Sequence, residues 1–244
     1  MDHPALYFDL EGAPLSRDGT ISLIAVYVHS KQHVYLIDVH TLQSTAFDTA
    51  TPDGTTLRAI LQSPAITKVF FDIRKDAEAL HAHFDIALRG IEDVQLMENA
   101  LRSDRERRFL NGLDRCIELD AGATPAEMRA WREIKRKGLG IFQPKLGGSY
   151  GSFEARPLDP DLLAYCINDV VFLPDLRQAY LRRLNGMWRA RVVLAAERRV
   201  LKAQGPVGNS KHDQNAFWGQ WEKPESAGQV RLLKRRLLKD IGEV

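Results

Sequence analysis

Residues 5–39 read ALYFDLEGAPLSRDGTISLIAVYVHSKQHVYLIDV. Three runs rich in β-branched and aromatic residues, 5–10, 21–28 and 34–39, are separated by short links carrying Pro, Gly and polar residues. Such runs predict strands, and strands joined by links this short pair as neighbours in an antiparallel meander. Successive side chains alternate across a strand, so Tyr7, Asp9 and Glu11 share one face and Leu6, Phe8 and Leu10 the other. Two carboxylates at i and i+2 stand about 7 Å apart along the strand. In an interior strand they repel one another and resist loss of water. A divalent cation between them relieves both problems, as would solvent beyond the strand end, so the pair alone leaves the choice open.

Outward from this meander, 57–61 predicts a short helix and 68–73 (KVFFDI) a fourth strand. An amphipathic helix follows over 76–84, and 86–93 has room for a fifth strand. Beyond it the pattern is helical over 94–104, 107–120, 125–137 and 159–204. Pro174 should kink or divide the last segment, because proline removes a donor and crowds the preceding turn. The glycine-rich stretch 138–151 reads as a mobile loop. Residues 205–228 read as irregular, and 229–241 as a short basic amphipathic helix. The whole predicts an α/β fold, a mixed sheet flanked by helices.

Composition narrows the class. No run of 18 apolar residues exists, so a membrane span is not expected. The N-terminus lacks a basic segment followed by an apolar one, so a secretory signal is not expected either. Cys116 and Cys166 have no metal-ligand spacing and read as thiols of an intracellular protein, cytoplasmic or nuclear. The net charge of +2 hides an asymmetry: residues 1–100 hold seven Lys/Arg against fourteen Asp/Glu, and the remainder is basic. Carboxylates that hold cations beside a surface that holds phosphate would give this pattern, and so would ordinary solvated faces.

Three further residues join the first pair. Asp76 opens the helix after the fourth strand, where capping and the helix dipole also favour a carboxylate. Asp72 is its rival. Tyr165 and Asp169 are spaced i, i+4 on one helix face. Each element has a structural explanation when taken alone.

Together, an Asp-x-Glu on the first strand, an Asp after the fourth and a Tyr-x3-Asp on a late helix are far more specific. The set resembles the tyrosine (DEDDy) subgroup of the DEDD 3′–5′ exonucleases, of ribonuclease H-like fold. The stretches FDLEGAPLSRDGTISLI and RPLDPDLLAYCINDVVFLPDL carry the resemblance, the first of them nearest the Egalitarian-like branch. It implies Asp9, Glu11, Asp76 and Asp169 as metal ligands and Tyr165 as a fifth catalytic residue. It implies two Mg²⁺ or Mn²⁺ ions, which suit hard oxygen ligands. It also implies single-stranded RNA or DNA as the partner. Leu15 would separate the terminal base. The other subgroup places His five residues before the final Asp, where this chain has Ala164. Gly12 departs from the Thr or Ser that many relatives carry after the Asp-x-Glu.

Phosphate contacts are expected from Arg105, Arg108, Arg132 and Lys135, among a wider set that includes Arg102 and Arg107. Trp218 and Trp221 could stack on bases but fit core packing better. The implied division is an exonuclease domain over 1–204 and an irregular, helical extension over 205–244. The basic segment of that extension offers a docking surface for a protein partner. Two rival functions stay open here: a non-catalytic RNA-binding adaptor or scaffold, and an internally cleaving ribonuclease H-like enzyme.

Overall fold

The computed structural model describes residues 5–205. Expectations for 206–244, including the basic helix, Trp218, Trp221 and the docking surface for a partner, lie outside the described residues. β1 (Leu6–Glu11), β2 (Leu23–Val28) and β3 (His33–Asp38) form the antiparallel meander. β4 (Lys68–Phe70) and β5 (Ile91–Asp93) join in parallel, giving the order β3-β2-β1-β4-β5. This is the mixed ribonuclease H-like sheet that was expected, with β1 at its centre. β2 is buried from Leu23 to Tyr27, as an interior strand covered on both faces must be. On the apolar face of β1, Phe8 stacks on Phe70 of β4, with ring centroids 5.4 Å apart.

Helices cover the sheet. α1 (Val39–Leu42), α2 (Thr45–Asp48) and α3 (Leu57–Gln62) lead from β3 to β4. α4 (Arg74–Phe84) follows β4, and α5 (Val94–Ala100) follows β5. Then come α6 (Leu113–Asp120), α7 (Pro125–Phe142), α8 (Pro160–Asn168), α9 (Leu173–Arg183) and α10 (Gly186–Gln204). α7 packs on α8, α5 on α9, and α10 on α4 and β5. Among the described residues no helix is long and apolar enough to cross a membrane. Cys116 and Cys166 are buried free thiols.

Several boundaries differ from the sequence reading, each for a local reason. The helix expected over 94–104 stops at Ala100, and a 3₁₀ turn (Glu106–Arg108) precedes α6. The stretch 138–151 is not a mobile loop. α7 absorbs Gly138 and Gly140, and two 3₁₀ turns follow, Pro144–Leu146 and Tyr150–Phe153. The backbone N–H groups of Gly148 and Ser149 close back onto the carbonyls of Gln143 and Ile141. The segment 159–204, expected to kink or divide at Pro174, is three helices, broken just before Pro174 and again between Arg183 and Gly186. Asp159 caps α8 and Asn185 caps α10 through their side chains. Pro174 lies in the first turn of α9, where its missing N–H has no carbonyl to bond.

Candidate active site

β1 runs through Glu11, so both carboxylates of the Asp-x-Glu lie within the sheet, Asp9 opposite Ala25 and Glu11 opposite Leu23. They are half-buried and share the face that α7 and α8 cover. Gly12 then turns the chain so tightly that a Cβ there would sit 1.9 Å from the carbonyl oxygen of Thr20. A larger residue would push β1 away from the loop that leads into β2, which accounts for the departure from Thr or Ser.

α8 delivers Tyr165 within the helix and Asp169 at its C-terminal cap. Both are buried. Two contacts with α7 fix their position. Trp131 Nε1 donates to the Asn168 carbonyl at 3.1 Å, and Asn168 Nδ2 donates back to the Trp131 carbonyl at 3.2 Å. Two turns of α7 further on, a Cβ at Gly138 would meet Tyr165 Cβ at 2.5 Å, so only glycine lets the two helices approach this closely. Phe142 meets the Tyr165 ring edge-on at 5.1 Å. Trp131, Lys135, Gly138 and Phe142 thus form one stripe at i, i+4, i+7 and i+11. That spacing was present in the sequence and marks the face of α7 that builds the site.

Asp9, Glu11 and Asp169 each place a carboxylate oxygen within 4.8 Å of the others. Asp76, in the first turn of α4 and buried, adds its charge from beside this group. Burial, reinforced by Asp169, pushes Asp9 up to about 7. Burial and the neighbouring Asp9 likewise push Glu11 and Asp76 well above the ordinary carboxylate range. The opposing charge is Lys135, whose Nζ donates to Tyr165 Oη at 2.9 Å and to Asp169 Oδ2. Oδ1 of Asp169 is buried and receives no hydrogen bond. Clustered carboxylates with an orphaned buried oxygen fit a hard divalent cation, which would neutralise the one and occupy the other. The Tyr165 phenol is pushed up by burial and by Asp169, so it stays protonated across the physiological range.

Asp72, the rival of Asp76, points elsewhere. It sits at positive φ (64°) and bonds Arg74 through both oxygens at 2.6 Å, with Arg199 at 3.4 Å. Leu15 is partly buried against the main core. Arg105 and Arg108 are exposed, and Arg132 pairs with Glu118 at 3.1 Å. Arg102 pairs with Glu98 at 2.6 Å, and Arg107 lies over the Trp188 ring at 4.1 Å. Lys135 reaches into the carboxylates instead of lying along an exposed track.

A family model described as 3′–5′ exonuclease matches residues 1–185, from before β1 to past α9. The chain belongs to the 3′–5′ exonuclease family. The match spans every residue of the cluster just described, as well as Tyr165 and Lys135. No curated protein matches this exonuclease in sequence. Among solved structures it is similar to Trypanosoma brucei RNase D in complex with RNA U12, at 20% identity and a TM-score of 0.65. That likeness covers 96% of this chain and 72% of the other. Brucella melitensis NrnC with bound Mg²⁺ matches at 19% identity and a TM-score of 0.55, over 83% and 84% of the two chains. NrnC bound to pGG matches at 18% identity and a TM-score of 0.53, over 83% and 82%. At these identities the likeness is one of fold.

Proposed function

We propose that this exonuclease removes nucleotides from the 3′ end of single-stranded RNA or DNA with two divalent cations, Mg²⁺ or Mn²⁺. The observation that carries this reading is the convergence of Asp9, Glu11 and Asp169 beside Asp76 and Tyr165, with Lys135 opposing them. Asp9, Glu11 and Asp169 would hold one cation, and Asp9 and Asp76 the second. A bound pair of this kind supplies an activated water and stabilises charge on the reacting phosphate. The protein's own groups complete the site. Tyr165, protonated and held by Lys135, orients the attacking water by donating a hydrogen bond. Exposed Arg105, Arg108 and Arg132 position the strand through its phosphates, and Leu15 lies against the terminal base. The RNA and the pGG in the two similar structures support a short single strand as substrate.

Tyr165, with Ala164 where the other subgroup carries histidine, supports the tyrosine subgroup, and the FDLEGAPL opening resembles the Egalitarian-like branch. Residues 1–204 form the exonuclease domain in this reading, with 205–244 as an appended extension.

The test is purified protein with 5′-labelled single-stranded RNA and DNA in Mn²⁺. A descending ladder from the 3′ end, abolished by EDTA and by Asp9→Asn, is the expected result. Intact strands that remain bound on a native gel would replace the enzyme with an RNA-binding adaptor. Cleavage of a circular strand would indicate an internally cutting enzyme.

A further inference from the structure

Lys135 stands where a cation is needed and where a second one would be unwelcome. Its ammonium is bonded to Asp169 Oδ2 and to Tyr165 Oη, and it lies 4.1 Å from the Tyr165 ring centre. Asp169 therefore spends one oxygen on Lys135 while the other, Oδ1, is buried without a donor. A divalent cation on Asp9, Glu11 and Asp169 would bring two positive charges next to the ammonium. Like charges this close, in a site largely shielded from water, oppose one another strongly.

We propose that Lys135 is a resident counter-ion that competes with the metal. Before metal binds, it offsets the carboxylates and holds Asp169 and Tyr165 in place. When a divalent cation takes Asp169, Lys135 releases that carboxylate and keeps Tyr165. Tyr165 Oη then still accepts from Lys135, so its own proton remains directed outward as a donor. Lys135 is a positioning residue in this scheme, and the scheme rests on the metal-dependent reading above.

The sign of one measurement separates competition from simple scaffolding. Full-length Lys135→Met is titrated with Mn²⁺ by calorimetry, beside Lys135→Arg, Asp9→Asn and the unaltered protein. Competition predicts that Lys135→Met binds Mn²⁺ about tenfold more tightly, a part of the repulsion between unit charges about 4 Å apart after solvent screening. Its metal-free Tm should fall, so its metal-induced rise in Tm should grow. Lys135→Arg, which keeps the charge, should bind within about threefold of the unaltered protein. Equal or weaker Mn²⁺ binding by Lys135→Met would overturn the proposal and leave Lys135 as scaffold only. Identical titrations of unaltered protein and Asp9→Asn would overturn the metal site itself. Should Lys135→Met not fold, the lysine ¹⁵Nζ resonance of the unaltered protein gives the same answer. It should shift on adding Mg²⁺, and an unmoved resonance under saturating Mg²⁺ would also overturn the proposal.

Discussion

Two acidic groups lie at the same end of the parallel strands, and they are built in opposite ways. Asp93, at the end of β5, is fully buried. It accepts N–H bonds from Asp72, Ile73, Gln95 and Leu96 and bonds Arg199 at 2.6 Å. Asp72 is gripped by Arg74 and approached by Arg199. Burial works against its charge, but the arginines outweigh it and hold Asp72 below the ordinary range. Two carboxylates thus face two guanidiniums. In the other group four carboxylates, Asp9, Glu11, Asp76 and Asp169, gather around one ammonium among the described residues, that of Lys135. Burial and mutual repulsion raise three of them. The first group is a neutral joint tying α10 to the turn before α4. The second is short of positive charge, which is the condition that draws in a metal. Asp72 and Asp76 lie one helical turn apart in sequence and belong to different groups, so residue type alone does not assign the role.

That contrast can be broken by substitution. The largest effect is expected for Asp9→Asn, which should lower Mn²⁺-dependent degradation by roughly 10³-fold or more, because it removes the ligand proposed to be shared by two cations. Its metal-free Tm should hold or rise, since one repelling carboxylate is removed. Loss of activity through unfolding would count against the account. Asp93→Ala should act in the other direction, on stability. Stranding buried Arg199 should cost about 3–5 kcal/mol in chemical denaturation, as breaking a buried ion pair does. An unchanged unfolding midpoint would mean the joint is not structural.

Asp72 and Asp76 give the sharper comparison. Asp76→Asn should abolish activity and keep the fold. Asp72→Asn should lose about 1–3 kcal/mol of stability while the remaining folded protein degrades its substrate. The reverse pattern would exchange the roles of the two residues. Gly138→Ala should place a methyl group against Tyr165, costing about 1–3 kcal/mol by overpacking and reducing kcat more than it raises KM.

The smallest effect is on pH dependence. A carboxyl raised to about 7, as Asp9 is, contributes stability that is present below its unfolded value and lost as pH rises through the folded one. Metal-free protein should therefore melt progressively lower between about pH 4 and about 7. Mn²⁺ affinity should climb over the same window as protons leave the ligands. A Tm that rises over that range would contradict the raised values.

The sequence made the periodic features legible. Alternation placed Asp9 and Glu11 on one face of β1, and helical spacing placed Tyr165 one turn from Asp169. What it hid was set by distant partners. Asp72 is set apart from Asp76 by Arg74, two residues on, and by Arg199, 127 residues away, and only the folded chain shows that both turn toward it. Gly138 counted toward a loop by composition, yet its role is to let α7 touch Tyr165. Lys135 read as one of many surface cations, because nothing local shows that its ammonium turns inward to Asp169. Helix ends near Ala100 and Asn168 were blurred because capping there depends on the packed structure.

The central claim is that the charge-deficient group, and not the balanced one, takes up divalent metal. Crystals soaked in Mn²⁺ and measured at a wavelength where manganese scatters anomalously test it directly. The account predicts an anomalous peak bounded by Asp9, Glu11 and Asp169, a second beside Asp76, and none at Asp72 and Asp93. A crystal of active protein with no peak at Asp9, or with manganese bound at Asp72 and Asp93, would contradict it.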